Sequence, residues 1–207
     1  MPTLTSRFEE ALVYASQLHA AQVRKGGTGT PYVAHLLGVA SIVLEHGGDE
    51  DEAIAALLHD AVEDRPAGGA TSEQIRRRFG ERVHRIVLAL TDSDPNARDG
   101  EPKEDWRARK ERFLERLRHE PAEVLRVAAA DKLYNAWAIL GEVRESGNAA
   151  FERFNARRDE QLWYYARLLE VFRAAGDRAP RRLVDELERV VTRIERMTGE
   201  HPTAERD

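Results

Sequence analysis

Apolar residues recur at helical spacing along almost the whole chain, and this pattern limits the possible folds more than any other feature. One face of a helix over residues 180–198, for example, would carry only apolar side chains: Leu183, Leu187, Val190, Val191, Ile194 and Met197. Long runs in which β-branched and polar residues alternate are missing, so the sequence shows no strand pattern. It therefore predicts an all-α bundle of about eight to nine helices.

Glycine and proline divide this helical pattern into segments. The stretch RKGGTGT (24–30) ends the first helix, and Pro31 is expected at the first position of the second, with Thr30 as its N-cap. A third helix is predicted from Asp49 through HDAVED to the residue before Pro66. Later helices are expected at about 104–119, 121–146, 149–175 and 180–198. A length of 207 residues predicts one domain, 1–207, with a core at about 5–146 and a helical extension at about 149–198.

Composition narrows the choice of partners and compartment. The net charge of −5 argues against a nucleic-acid polymer or an anionic membrane as partner, although a local basic cluster could hold a small anion. No apolar run approaches the roughly 20 residues of a membrane span, and the N-terminus lacks the apolar segment of a signal peptide. The absence of cysteine excludes disulfides and thiolate metal sites, and it fits a cytoplasmic location. The last helix either packs on its own domain or forms a homo-oligomer.

Ionisable residues interrupt three of the apolar segments. His59 and Asp60 lie within AALLHDAV, Asp131 within VAAADKL, and His35 within YVAHLLGVA. A buried carboxylate is costly unless it is paired or binds a cation. Two imidazoles and two carboxylates suit a divalent metal with positions left for water and a phosphate oxygen, and mixed nitrogen and oxygen ligands favour manganese over zinc. The alternative for each histidine is a satisfied position in the core.

Acids and cations near these residues suggest further roles. Glu63 and Asp64 follow Asp60 by three and four residues, so on a continuous helix they would lie near its face and could orient a water or transfer a proton. The alternative is a solvated helix end paired with Arg65. Arg24 and Lys25 precede a glycine-rich turn and could grip a phosphate or a base, or they could form an ordinary charged helix end.

Two polar residues share the segment of Asp131. Asn135 follows Asp131 by four residues, which places it on the same helical face, where it can hydrogen-bond near the metal. Lys132 could pair either with an acid of the site or with a substrate phosphate. Both are therefore candidates for substrate binding.

These motifs resemble a known family. His35, His59-Asp60 and Asp131 are similar to the H…HD…D pattern of the HD superfamily of metal-dependent phosphohydrolases. In order and spacing, RKGGTGTPYVAH, ALLHDAVED, FGERV and ADKLYNA resemble the hydrolase domain of RelA/SpoT homologues over about residues 5–140. The later helices look like those of stand-alone small alarmone hydrolases. The resemblance implies an all-helical HD domain that binds manganese and removes pyrophosphate from the 3′ position of ppGpp and pppGpp.

The resemblance also implies roles for individual residues. It implies that the metal ligands are His35, His59, Asp60 and Asp131. Glu63 and Asp64 match the acidic pair linked to water activation, and Arg24, Lys25 and Asn135 match nucleotide-contacting positions. One departure is Trp137, which stands where the family often has arginine. It either packs against Leu133 and the following helix or stacks on the nucleotide and changes base preference.

The sequence thus predicts a manganese-dependent pyrophosphohydrolase that acts on guanosine alarmones. A phosphohydrolase for another nucleotide, such as NADPH or an adenosine alarmone, is the enzymatic alternative. A catalytically silent module that binds a nucleotide and signals by it is the alternative of another class.

Overall fold

The computed structural model describes residues 3–24, 29–62, 68–92, 105–153 and 156–199. Within these ranges the chain forms nine α-helices and no β-strand, which confirms the prediction of an all-α fold and the number of helices. The helices are α1 (Ser6–Leu18), α2 (Val33–Glu45), α3 (Glu50–Leu58), α4 (Gly68–Phe79), α5 (Glu81–Leu90), α6 (Trp106–Leu117), α7 (Ala122–Ser146), α8 (Arg158–Ala174) and α9 (Arg181–Gly199). Two 3₁₀ segments, Gly147–Arg153 and Gly176–Arg178, flank α8.

Helix α3 forms the centre of the fold. Every side chain from Ala53 to Leu58 is fully buried, because this short helix is apolar on all sides and packs against α1, α2, α5 and α7. Asp49 and Glu52 form a capping box at its start. Glu52 is also buried and pairs with Arg126 of α7, which ties the two helices together. This ion pair fixes the position of α3 relative to α7. His59, which directly follows α3, and Asp131 of α7 both belong to the site described below.

Helix α7 is 25 residues long and links the two halves of the structure. It packs against α2, α3 and α5 on one side and against α9 on the other. The apolar face of α9 predicted from the sequence is buried there, including Leu183, Leu187 and Ile194. Helix α9 therefore packs this apolar face on its own chain.

The start of the second helix differs from the prediction. Helix α2 begins at Val33 with Tyr32 as N-cap, two residues later than Thr30 and Pro31 implied. The reason is a short antiparallel contact in which Pro31 lies opposite Val23. The Tyr32 amide donates to the carbonyl of Gln22, which holds this contact together directly before the helix. This contact brings Arg24 back toward the start of α2.

Three other helices are shorter than predicted. Helix α1 ends at Leu18, before the glycine-rich stretch at 24–30 that was expected to end it. The α-helical part of α3 ends at Leu58, and His59 to Val62 form turns in which the Ala61 amide donates to the Leu58 carbonyl. The segment predicted as a helix over 149–175 is divided, because Gly147–Arg153 is 3₁₀ and α8 begins only at Arg158. None of the helices in the described ranges has the length and apolarity to cross a membrane.

Candidate metal centre and nucleotide cavity

Three buried side chains from three helices converge at the end of α3. His35 lies in the first turn of α2, His59 directly follows α3, and Asp131 lies in the middle of α7. The Nε2 atom of His35 is 3.3 Å from Nε2 of His59 and 3.3 Å from Oδ1 of Asp131, and His59 Nε2 is 3.6 Å from the same oxygen. Residues separated by up to 96 positions thus form one compact cluster, hereafter the metal cluster.

The geometry of the metal cluster fits a cation. Ligand atoms roughly 2.1 Å from one ion lie about 3.0–3.4 Å from each other, which is close to the separations between His35, His59 and Asp131. A cation between the two imidazole nitrogens and the carboxylate oxygen would be attracted by all three atoms. This set of two nitrogens and one oxygen could hold a divalent metal.

Asp60 lies beside the metal cluster and shares its atoms. Its Oδ2 is 3.1 Å from Nε2 of His59 and 3.7 Å from Nε2 of His35. The hydroxyl of Tyr32 donates a hydrogen bond to the same carboxylate oxygen. Asp60 thus faces both imidazole nitrogens and is oriented by Tyr32, but the three residues whose ligand atoms all lie within 4.8 Å of one another are His35, His59 and Asp131. Tyr32 precedes His35 by three residues, a helical spacing that could have marked it in the sequence.

The ionisation of the cluster favours a cation there. Burial lowers the pKa of His35 below its ordinary value despite the neighbouring Asp131, so the ring is neutral and keeps a lone pair. Burial also opposes the charged form of His59, but the carboxylates of Asp60 and Asp131 outweigh it and hold the pKa of His59 well above its usual range. The two acids therefore stabilise a positive charge at this point, which a proton or a metal ion can supply.

Main-chain and side-chain contacts orient the individual ligands. The Nδ1 atom of His59 is 2.8 Å from the carbonyl of Ala56, a hydrogen bond that directs Nε2 toward the cluster. Lys132 donates to Oδ2 of Asp131 at 2.6 Å, and the side-chain amide of Asn135 donates to Oδ1 at 2.6 Å. Burial alone would raise the pKa of Asp131, but Lys132 and the two histidines hold it well below its usual range. Lys132 thus pairs with an acid of the site.

Arg24 is held above the cluster by α7. Its guanidinium donates to Oδ1 of Asn135 at 3.2 Å and lies over the ring of Tyr134, 5.2 Å from the centroid. The ring of Tyr134 also packs 5.2 Å from that of His35. A Cβ atom on Gly38 would lie 1.9 Å from Tyr134, so only glycine lets this ring lie against α2. Tyr134 therefore supports both a metal ligand and the arginine.

The metal cluster opens into a cavity of about 420 Å³. His35, Asp60 and Asp131 line one end, and the described cations along its walls are Arg24, Lys110 and Lys132. A phosphate held at the cluster would meet these cations.

Lys110 of α6 was not predicted from the sequence. It pairs with Asp92, a buried acid at the end of α5, which also accepts a hydrogen bond from Arg109 at 3.0 Å. No regular spacing links α6 to the motifs, because its place beside the site depends on tertiary packing. It therefore could not have been found from the sequence pattern.

Some predicted residues are outside the cavity or outside the described ranges. Trp137 is 40% exposed and belongs neither to the core nor to the described residues that line the cavity. It follows Asp131 by six residues, about 240° around α7, which turns it away from the site. Lys25, Glu63 and Asp64 lie outside the described residues. Because α3 ends at Leu58, Asp60 does not lie on the continuous helix that the sequence predicts for it together with Glu63 and Asp64.

Comparison with known proteins agrees with this geometry. A family model described as an HD domain matches residues 11–159. The guanosine-3′,5′-bis(diphosphate) 3′-pyrophosphohydrolase MESH1 of Xenopus tropicalis is 41% identical over 128 residues, which cover 61% of this chain and 65% of the frog protein. The match thus spans slightly less than two thirds of that relative. The MESH1 of Danio rerio is 33% identical over 159 residues, 76% of this chain and 78% of the fish protein.

A solved structure supports the same relationship over nearly the whole chain. It is described as a metazoan orthologue of SpoT that hydrolyses ppGpp, and it superposes with a TM-score of 0.69 at 25% identity. The superposition covers 96% of this chain and 99% of the other. The four motifs, the helical fold and the convergence of His35, His59 and Asp131 have one common explanation: the chain belongs to the HD-domain family.

Proposed function

We propose that the protein hydrolyses the 3′-pyrophosphate of the guanosine alarmones ppGpp and pppGpp, releasing pyrophosphate and GDP or GTP. The observation that carries the proposal is the metal cluster at one end of a cavity whose walls hold three described cations. The functions of the frog and fish relatives and of the SpoT orthologue support the choice of substrate.

A divalent cation, which we propose to be Mn²⁺, would be held by His35, His59, Asp60 and Asp131. When bound, it would polarise the 3′-phosphate and lower the pKa of a bound water. The mixed nitrogen and oxygen donors of the cluster suit manganese, and the cluster opens toward the cavity, where a water and a phosphate oxygen can approach.

The protein supplies binding and orientation. Lys132 and Asn135 keep Asp131 turned toward the cluster. Arg24 and Lys110 line the cavity and neutralise the negative charge of the diphosphate, and we propose that Lys25 contributes in the same way. These contacts bring the phosphorus to the cluster before the reaction begins.

We propose that Glu63 and Asp64 orient the attacking water and accept its proton. The water oxygen forms a bond to the phosphorus attached to O3′ of the ribose, and the bond from that phosphorus to O3′ breaks. O3′ takes up a proton, so the products are a 3′-hydroxyl nucleotide and free pyrophosphate. The acids return the proton they accepted, and the reaction is balanced with water as the only co-reactant.

We further propose that residues 1–207 act as a single HD-type domain in the cytoplasm, with a small nucleotide as partner. The packing of α9 on α7 supports this division, because it joins the C-terminal helices to the part of the chain that holds the site. Light scattering on the purified protein measures whether it forms a homo-oligomer.

The test is a nucleotide panel incubated with the purified protein and Mn²⁺, followed by chromatography of the products. We expect ppGpp to yield GDP and pyrophosphate, and we expect chelation to abolish the reaction. Preferred hydrolysis of NADPH or of the adenosine counterpart would replace the proposed substrate. Tight binding of ppGpp without turnover would instead indicate a silent nucleotide-binding module.

A further inference from the structure

One face of α7 forms a continuous wall of the cavity. Asp131, Asn135, Ala138 and Glu142 all line it, at spacings of four, three and four residues that keep side chains on one side of a helix. Glu142 is three turns from Asp131, about 16 Å along the helix axis. The cavity therefore runs from the metal cluster to Glu142, a distance comparable with the length of an extended nucleotide.

The carboxylate of Glu142 has an unused acceptor at this far end. Its Oε2 atom is buried and has no hydrogen-bond partner within the described part of the chain. The described cations of the cavity are engaged elsewhere: Arg24 with Asn135, Lys110 with Asp92, and Lys132 with Asp131. A buried acceptor without a donor is costly, so a ligand that brings a donor into the cavity would be stabilised at this atom.

Guanine and adenine differ in the hydrogen-bond donors that they can present to the carboxylate of Glu142. Guanine presents two adjacent donors, N1–H and the N2 amino group, which match the two oxygens of a carboxylate. Adenine presents one amino donor beside the N1 lone pair, so one carboxylate oxygen would face a second acceptor. Hydrogen bonds to a charged acceptor are stronger than neutral ones, which makes this difference large in a buried site.

We propose that Glu142 accepts hydrogen bonds from N1–H and the N2 amino group of guanine and is the residue that selects guanine over adenine. The proposal rests on the proposed function, because it assumes that the phosphate end of the nucleotide lies at the metal cluster. The base then lies at the opposite end of the same cavity, three turns along α7. Gln161, which also lines the cavity, adds polar surface to it.

The experiment compares ppGpp with its adenosine counterpart in the intact protein and in three variants. In Glu142→Ala we expect kcat/KM for ppGpp, divided by kcat/KM for its adenosine counterpart, to fall by about 10- to 100-fold. In Glu142→Gln the amide offers one acceptor and one donor, which match adenine, so activity on the adenosine nucleotide should rise. Glu145→Gln is the matched control, because Glu145 is exposed one turn further along α7, and its ratio should equal that of the wild type.

The outcomes separate this proposal from the proposed function. If the wild-type protein hydrolyses neither nucleotide, the proposed function fails, and calorimetric binding of GDP against ADP to the wild type and Glu142→Gln still tests the base contact. Another outcome is that the wild type hydrolyses ppGpp while both Glu142 variants keep the wild-type ratio of kcat/KM for ppGpp to that for its adenosine counterpart. In that case Glu142 does not contact the base, and the proposal is wrong. An equal loss on both nucleotides would likewise assign Glu142 a structural role and overturn the proposal. Melting temperatures show whether each variant is folded, and the nearly isosteric Glu142→Gln keeps the test valid if Glu142→Ala does not fold.

Discussion

The two ends of the cavity differ in how their polar atoms are partnered. At the metal cluster, Asp131 receives hydrogen bonds from Lys132 and Asn135, and His59 is oriented by the carbonyl of Ala56. The Nδ1 atom of His35 differs from these, because it is buried without a hydrogen-bond partner in the described part of the chain. At the far end, a buried oxygen of Glu142 has no partner within the described ranges. The protein thus orients Asp131 and His59 through its own contacts, whereas it leaves an acceptor open where the nucleobase is proposed to bind.

This difference separates reactivity from recognition along one helix. A metal ligand must be held within a few tenths of an ångström, and the hydrogen bonds to Asp131 and His59 serve this purpose. A recognition group must instead keep its capacity for the ligand, and it loses selectivity if the protein satisfies it. Changes near the cluster should therefore affect turnover broadly, whereas changes at the far end should affect the choice of nucleotide.

The largest effect is expected at the cluster itself. Asp131→Asn removes the charge that both histidines and Lys132 face, so we expect activity on ppGpp to fall by about 10³-fold or more together with Mn²⁺ affinity. Calorimetric titration with Mn²⁺ and a turnover assay measure the two losses. Asp159→Asn, an exposed acid in the first turn of α8, is the control and should change neither. Unaltered Mn²⁺ binding in Asp131→Asn would exclude Asp131 as a ligand.

Substitution of Glu63 and Asp64 should lower the rate of the chemical step but leave the affinity for metal and nucleotide unchanged. For the double variant Glu63→Gln and Asp64→Asn we expect a loss of kcat on the order of 10²-fold or more, because proton transfer is removed. Metal and nucleotide affinity should remain, as measured by calorimetry on the same sample. Full activity of the double variant would exclude both acids from proton transfer.

A moderate effect is expected at the contact between α2 and α7. Gly38→Ala places a methyl group against the ring of Tyr134, so we expect a loss of about 1–3 kcal/mol in the free energy of unfolding and a higher KM as Arg24 loses its support. Gly141→Ala is the matched control, since its Cβ would meet nothing within 4 Å, and it should gain about 0.5–1 kcal/mol. Equal changes in both variants, measured by chemical denaturation, would contradict the close approach of Tyr134.

The smallest effect is expected at Trp137. Because this side chain is 40% exposed and turned away from Asp131, Trp137→Arg should change the free energy of unfolding by less than about 0.5 kcal/mol. The ratio of kcat/KM for ppGpp and its adenosine counterpart should stay within about twofold of the wild-type ratio. A shift of that ratio toward guanine would show that Trp137 reaches the nucleotide after all.

Much of the fold could be predicted, and the errors have physical causes. The all-α class follows from helical periodicity, which is a local property. Helix α2 starts two residues later than predicted, directly after the contact between Val23 and Pro31, which joins separate chain segments and which propensity does not encode. The end of α3 was placed too late because the apolar pattern continues past Leu58 although the chain turns there.

The candidate site was predictable to the extent that its residues interrupt apolar segments. His35, His59 and Asp131 were found because ionisable groups in buried helices need a partner, and the structure places them together. Tyr32 and Glu142 lie at helical spacings from predicted residues, so a search along the helix faces could have found them. Lys110 and Asp92 had no such signal, because their position beside the site depends on how α5 and α6 pack.

The sequence by itself determined the helical class, the positions of the buried ionisable residues and the motifs of the HD-domain family, because all three depend on residue type and spacing along the chain. Only the tertiary structure decided that α2, α3 and α7 bring His35, His59 and Asp131 within 4.8 Å of one another. It also decided that Trp137 faces away and that Glu142 shares the cavity with Asp131. The physical reason is that spacing specifies which face of a helix a residue occupies, whereas the packing of helices determines what that face meets.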